Sequence, residues 1–309
     1  MTPRGKAQGA GQLLKKRFAT ASNAPPPWGW DVYSRWLKAA WAQLLRSSDP
    51  LKEEPYRQFL ESHPCLIPGG EGTGDSFGGH HGSWNGVVIS QPPLPGITRR
   101  IPDFMWLTKN SEDIIPVLIE LEAPGKPWFN KDGKRSAKLT EAQDQLAEWR
   151  QQLDNPANRQ LLGEMYSFPR RWTYDYNFVP RLLLIYGRRE EFRLRPWLSQ
   201  KRRAIRDPAT EAMTFDRIKP LVGSRDAFSV RMENTTQIVI AVPPTFRLGP
   251  ALAESVAAVH GWEAAIAGNE VISAARKDFL LTRLQYWRDI GLRRLQGEKL
   301  QHHDDQDWE

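Results

Sequence analysis

The chain has 309 residues, 40% hydrophobic and 26% charged. That is enough for one large domain or two modest ones and excludes a collagen-like or wholly disordered chain. Lys and Arg outnumber Asp and Glu by 43 to 36 in clusters that suit a polyanion partner such as nucleic acid, while the lone Cys65 excludes a disulfide framework or zinc ribbon.

No run of 18 apolar residues and no signal-like opening is present, so a cytoplasmic protein without a membrane partner is expected. Residues 1–27 read as a disordered arm, with Arg4, Lys6, Lys15, Lys16 and Arg17, no acid, and Pro25-Pro26-Pro27 at the end. Trp36, Leu37, Ala40, Trp41, Leu44 and Leu45 recur at helical spacing within 28–49. A second helix is expected over about 51–62, stopped by His63-Pro64. Residues 68–96 are rich in Gly, Pro and Ser and read as a long loop with one short strand at Gly86–Ser90.

Strands are expected at about 99–108 and 115–122, then a helix at about 138–153 with the stripe Leu139, Ala142, Leu146, Trp149 and Leu153. Pro180–Tyr186 reads as a buried strand, because Leu182 to Ile185 is continuously apolar. Residues 181–206 hold nine Lys or Arg against Glu190 and Glu191, and 188–206 reads as one basic helix. A short strand and a helical turn are expected over 212–222, and strands near 226–232 and 236–242 form a hairpin across Glu233-Asn234. Two tail helices follow, at about 250–267 and 270–297, with Leu280, Leu284, Trp287 and Ile290 as a face for packing or for a homo-oligomer. The strand–helix alternation makes the middle of the chain α/β.

The chemistry concentrates in Ile101-Pro102-Asp103-Phe104 and Val117-Leu118-Ile119-Glu120-Leu121-Glu122. Alternation on a strand points Glu120 and Glu122 to the same side. Two carboxylates at the end of an apolar strand are costly to bury without a cation, and Asp103 lies where a paired strand would bring it near. Oxygen ligands of this kind suit Mg2+ or Mn2+, which could activate water against a phosphodiester. An isolated pair of this type is more often a solvated strand edge. His80-His81 and His302-His303-Asp304-Asp305 have no companion ligand cluster and read as exposed histidines. Gly69 to Gly74 lacks a phosphate-loop ending and reads as a flexible loop, and Cys65 reads as packing at a helix end. Trp84, Trp106 and Trp128 flank the acids; packing is the commoner role for such residues, and stacking on bases the alternative.

In order and spacing these segments resemble the PD-(D/E)XK nuclease superfamily, and within it the Shedu anti-phage nuclease domain. Glu53-Glu54 with Phe59-Leu60-Glu61-Ser62-His63-Pro64 looks like the opening helix. Ile101 to Phe104 resembles the PD strand, and Leu118 to Pro124 the following strand motif. The helix with Gln143, Gln145 and Trp149 resembles the one after it. The resemblance covers roughly 50–222. It implies a restriction-endonuclease-like core, a mixed central sheet flanked by helices, with 223–309 as a C-terminal strand pair and helical extension. It also implies metal ligation by Asp103 and Glu120, with Glu54 as the helix-borne acid (Glu53 the alternative) and Gln145 orienting a phosphate or water. The superfamily lysine falls where this chain has Glu122, which could instead add a metal ligand or hold a second ion; Lys126 or Lys138 could migrate in to serve as the lysine.

The expected function is a Mg2+- or Mn2+-dependent DNA endonuclease in anti-phage defence, with Asp103, Glu120 and Glu122 at the metal. Arg188, Arg189, Lys201, Arg202 and Arg203 would hold the DNA backbone. A DNA-binding or sensing protein without catalysis is the alternative, motivated by Glu122. A carboxylate glycosidase is a third, disfavoured because the two glutamates are too close in sequence to flank a sugar.

Overall fold

The computed structural model of the chain describes residues 21, 23–71, 83–168, 176–203, 210–298 and 309. The basic residues of the arm from Arg4 to Arg17, the pairs His80-His81 and His302-His303, and the tail acids Asp304, Asp305 and Asp307 lie outside them.

Eight strands form one mixed sheet among the described residues. They are β1 (Ser83–Ser90), β2 (Phe104–Lys109), β3 (Asp113–Leu121), β4 (Asn177–Phe178), β5 (Arg181–Ile185), β6 (Thr210–Met213), β7 (Phe228–Glu233) and β8 (Thr236–Ala241). The order is β6-β5-β3-β2-β1-β7-β8, with β4 beside β3. Strands β1, β2 and β3 form an antiparallel meander, β5 runs parallel to β3, β6 to β5, and β7 to β1. The hairpin β7–β8 joins this sheet, so the strands expected in a C-terminal extension lie beside β1.

Alternation along the strands feeds two cores. On one face Phe104, Trp106, Val117, Ile119 and Leu183 pack with Tyr33, Leu37 and Trp41 of α1 (Trp30–Ser47) and Tyr56 and Leu60 of α2 (Glu54–Ser62). On the other, Met105, Leu107, Leu118, Leu182, Leu184 and Phe228 pack with α3 (Ala137–Asp154) and the C-terminal helices. The predicted α3 stripe is buried at every position. Its N-terminus is set by Ser136, whose hydroxyl accepts from Leu139 N–H. The sequence pattern did not predict α4 (Pro156–Met165), although Asn155 caps it and Pro156 opens it.

Several expectations are corrected. The basic segment is two short helices, α5 (Glu190–Leu194) and α6 (Leu198–Arg203), because Pro196 cannot donate the N–H a continuous helix needs. The tail forms three helices: α7 (Ala253–Ala258), α8 (Trp262–Gly268) and α9 (Ala274–Leu295). The extra break falls at Gly261, left-handed at φ 85°, where His260 leaves the helix to accept from Val239 N–H at 2.7 Å. Gly69 and Gly70 are not a free loop: a Cβ on either would collide with Val117 or Trp106. Trp106 and Trp128 are fully buried and cannot stack on bases as they stand, and Trp84 packs against the core.

The stripe Leu280, Leu284, Trp287 and Ile290 is buried within the chain and is not a face open to a second copy. Helix α9 lies so close to α7 that a Cβ at Gly291 would sit 1.9 Å from Ala253 O. No helix among the described residues is long and apolar enough to cross a membrane. Leu284→Ala is expected to cost about 2–5 kcal/mol in urea unfolding, with the native mass by light scattering unchanged.

Candidate active site

The acids collect at one rim of the sheet, where β1, β3, β5 and β7 end and β2 begins. Register fixes this: Arg231, Ser90, Phe104, Ile119 and Leu183 form one row across five strands. One rung beyond it, Asp103 stands opposite Glu120. Asp103 N–H donates to Ile119 O at 3.0 Å, and its Oδ2 accepts from Leu121 N–H at 2.7 Å. The Asp103 side chain thus ends the β2–β3 ladder in place of a backbone carbonyl. Both carboxylates lie on the face of Met105 and Leu118, beneath α3, where Gln145 Nε2 donates to Glu120 Oε1 at 2.8 Å.

Glu122 follows at the strand end, its N–H donating to Ile185 O at 2.9 Å. Its carboxylate pairs with Lys126, whose ammonium also donates to Glu53 Oε1 at 2.7 Å. Lys126 therefore reaches the cluster from the loop after β3, and Glu53 reaches it from the α2 cap. Lys138 stays on the surface, paired with Glu141. Glu54 faces the other way: its carboxylate accepts from Arg57 at 2.5 Å and Gln58 at 2.6 Å. Of the two adjacent acids, it is Glu53 whose charge acts on Asp103, Glu120 and Glu122.

Charge crowding is visible in the carboxyls. Burial, then the neighbouring Glu53 and Glu122, push Asp103 up to about 7, against the Leu121 N–H and the nearby Arg57. Burial and the charges of Asp103, Glu122 and Glu53 hold Glu120 well above its ordinary range, with Gln145 opposing. Burial also raises Glu122, although Lys126 pulls it down. Partial burial disfavours the Lys126 ammonium, but its two carboxylates outweigh that and hold it above the usual lysine range.

Beside the acids lies a polar cluster that the sequence reading missed. Glu61 Oε1 accepts from Arg57 at 2.9 Å, from Arg231 at 2.7 Å and from the Ser90 hydroxyl. Arg57 thereby stands between Glu54, Glu61 and the field of Asp103. The spacing Glu54, Arg57, Glu61 along α2 was the available signal. His63, at the end of that helix, is held neutral by burial, its pKa lowered to about 4.

The residues expected to grip DNA are largely occupied. Arg188 donates to both oxygens of Asp216 and to Leu45 O. Lys201 donates to Gly133 O at 2.8 Å, and Arg202 lies over the Phe192 ring. Arg189 and Arg203 are exposed. The acid Glu191 accepts from Trp128 and Phe129 N–H at 2.8 and 3.0 Å, and Trp128 Nε1 donates to Tyr186 O. This segment thus clamps the loop that carries Lys126. Gly187 completes the fit at φ 59°, since a Cβ there would lie 2.7 Å from Trp128 Nε1.

The oxygen donors of Asp103, Glu120 and Glu122 fit a hard divalent cation in chemistry. As they stand, no three His, Cys, Asp or Glu among the described residues are drawn together so as to hold one. Lys126 occupies Glu122, while Asp103 and Glu120 each give one oxygen to a protein hydrogen bond.

Fold and site together define an α/β protein with a partly buried acidic cluster at the rim of a mixed sheet. The model of the family described as Shedu protein SduA, C-terminal, matches residues 51–218. The match spans more than half of the chain, which therefore belongs to the Shedu family and to anti-phage defence. No curated protein matches it.

The raised carboxyl of Asp103 makes a pH-dependent contribution. The folded chain holds this proton more tightly than the unfolded chain, so the stabilisation is complete below the unfolded value near 3.8 and is lost as pH rises through about 7. The full span is on the order of 4 kcal/mol. Asp103→Asn is expected to raise the urea midpoint of metal-free protein at pH 8 and to change it little at pH 4. Urea titrations at the two pH values measure the difference.

Proposed function

We propose that the chain is a metal-dependent DNA endonuclease of the PD-(D/E)XK class, acting in anti-phage defence. The observation that carries this reading is the crowding of Asp103, Glu120 and Glu122 at the sheet rim, with raised carboxyls and few compensating cations. Such a site gains from a divalent ion, because an added positive charge relieves both burial and mutual repulsion. Family membership supplies the defence role.

In this reading Asp103 and Glu120 hold Mg2+ or Mn2+, joined by Glu122 once Lys126 withdraws from it. When bound, the ion supplies Lewis-acid stabilisation and lowers the pKa of water. Gln145 fixes the orientation of the Glu120 carboxylate. Lys126 brings an ammonium to the cluster that has Glu122 in the superfamily lysine position, where it can offset charge developing on a phosphate. That ammonium favours the nuclease over a DNA-binding protein without catalysis, because the positive charge missing from the strand is restored by the loop. Glu53 holds the resting Lys126. Arg57, beside the acids, adds a second positive charge.

Purified protein with Mg2+ or Mn2+ is expected to cleave DNA. Asp103→Ala and Glu120→Ala should each lower the rate by at least about 100-fold. Parent-like cleavage by either variant overturns the assignment. Lys126→Ala should cost roughly 10- to 1000-fold, with Lys126→Arg recovering part of the loss. Rates from supercoiled-plasmid and linear-duplex substrates measure both effects.

A further inference from the structure

The connection between β1 and β2 does not end at the sheet. Gln91 N–H donates to Asp103 O at 2.8 Å, and Leu94 N–H to Arg100 O at 2.8 Å, so the pair continues outward as a narrow hairpin. Its tip is Pro95-Gly96-Ile97-Thr98-Arg99, and its base is Asp103. Ile97 at the tip is completely exposed, at 108% of its reference area. Arg99 beside it is exposed and makes no ion pair among the described residues.

This tip is buttressed. Gln152 Nε2 donates to Thr98 O at 2.9 Å, Arg100 pairs with Glu148, and Tyr166 Oη donates to Pro93 O at 2.9 Å. A Cβ on Gly96 would strike Gln152, so the helix presses directly on the turn. Gln145, Glu148 and Gln152 follow one face of α3. That face therefore touches Glu120 at one end and the hairpin tip at the other, about 10 Å along the axis. An apolar side chain held out in water on a fixed support, next to an unpaired arginine, is the arrangement of a wedge. Such wedges enter base steps from a groove while neighbouring cations hold phosphates.

We propose that the tip of the β1–β2 hairpin is a DNA wedge, in which Ile97 inserts at a base step beside the acid cluster and Arg99 contacts the adjoining phosphate. The inserted residue would unstack the duplex near the reacting phosphodiester and favour DNA that bends or opens easily. This inference rests on the reading of the chain as a DNA nuclease.

The test uses the full chain in metal-free, low-salt buffer and duplexes carrying 2-aminopurine at successive positions, with a fluorescein end label for anisotropy. The parent is expected to bind and to raise 2-aminopurine emission roughly threefold at one or two positions. Ile97→Ser should still bind, roughly tenfold more weakly, and lose the rise; Ile97→Leu should keep it. Both substitutions are fully exposed, so folding is unaffected. An unchanged rise in Ile97→Ser, or saturable binding by the parent with no rise anywhere, overturns the wedge and leaves the nuclease reading standing. Failure of the parent to bind any DNA overturns both. A fall in native mass on Ile97→Ser assigns the tip to contact between copies and also overturns the wedge.

Discussion

Like charge buried at the end of a β-ladder is the constraint around which this molecule is arranged. Asp103 must sit opposite Glu120, because its backbone pairs with Ile119 and its side chain completes the bond to Leu121 N–H. The register that buries Phe104 and Ile119 on one face therefore places two carboxylates together on the other. Nothing in the sheet can separate them without slipping β2 against β3, and a slip of one residue would turn side chains shaped for one core into the other. The surrounding groups answer this repulsion: Gln145 from α3, Lys126 from the following loop, and Arg57 from α2.

That arrangement changes the meaning of the chain's basic excess. Clustered lysine and arginine suit a polyanion partner, yet much of the 188–203 charge is spent inside the molecule. Arg188 ties Asp216 to the end of α1, Arg195 pairs with Glu191, and Lys201 closes over Gly133. A guanidinium already bound to two carboxylate oxygens has less to offer a phosphate than an exposed one such as Arg189 or Arg203. Counting charge along the sequence finds the segment, and only the fold separates struts from surface.

Legibility follows the same division. The stripe of α3 was readable because five apolar residues at helical spacing enter one core, and each is buried. Pairing of the two acidic segments was readable because two successive strands can close as a hairpin. Glu53 and Glu54 were not separable, since they are adjacent at a helix start and only the path of the chain into α2 decides which faces the rim. The Glu61 cluster was hidden because Arg231 joins it from a strand 170 residues away. The tail misled for a tertiary reason: His260 breaks from helical geometry to add bonds to β8. In the 188–206 segment, Pro196 was a local signal that the charge pattern overshadowed.

The clamp on the 126–136 loop bears on time as well as place. Glu191 and Tyr186 fix the backbone around Trp128, two residues from Lys126, so the loop cannot swing away to free the acids. The ammonium can leave Glu122 only by turning about its own side-chain bonds. That turn requires breaking its bonds to Glu122 and Glu53, but it spares the microseconds or longer that loops and domains need to open. In the nuclease reading, a cation arriving from solution would displace the ammonium by side-chain rotation, without movement of the loop.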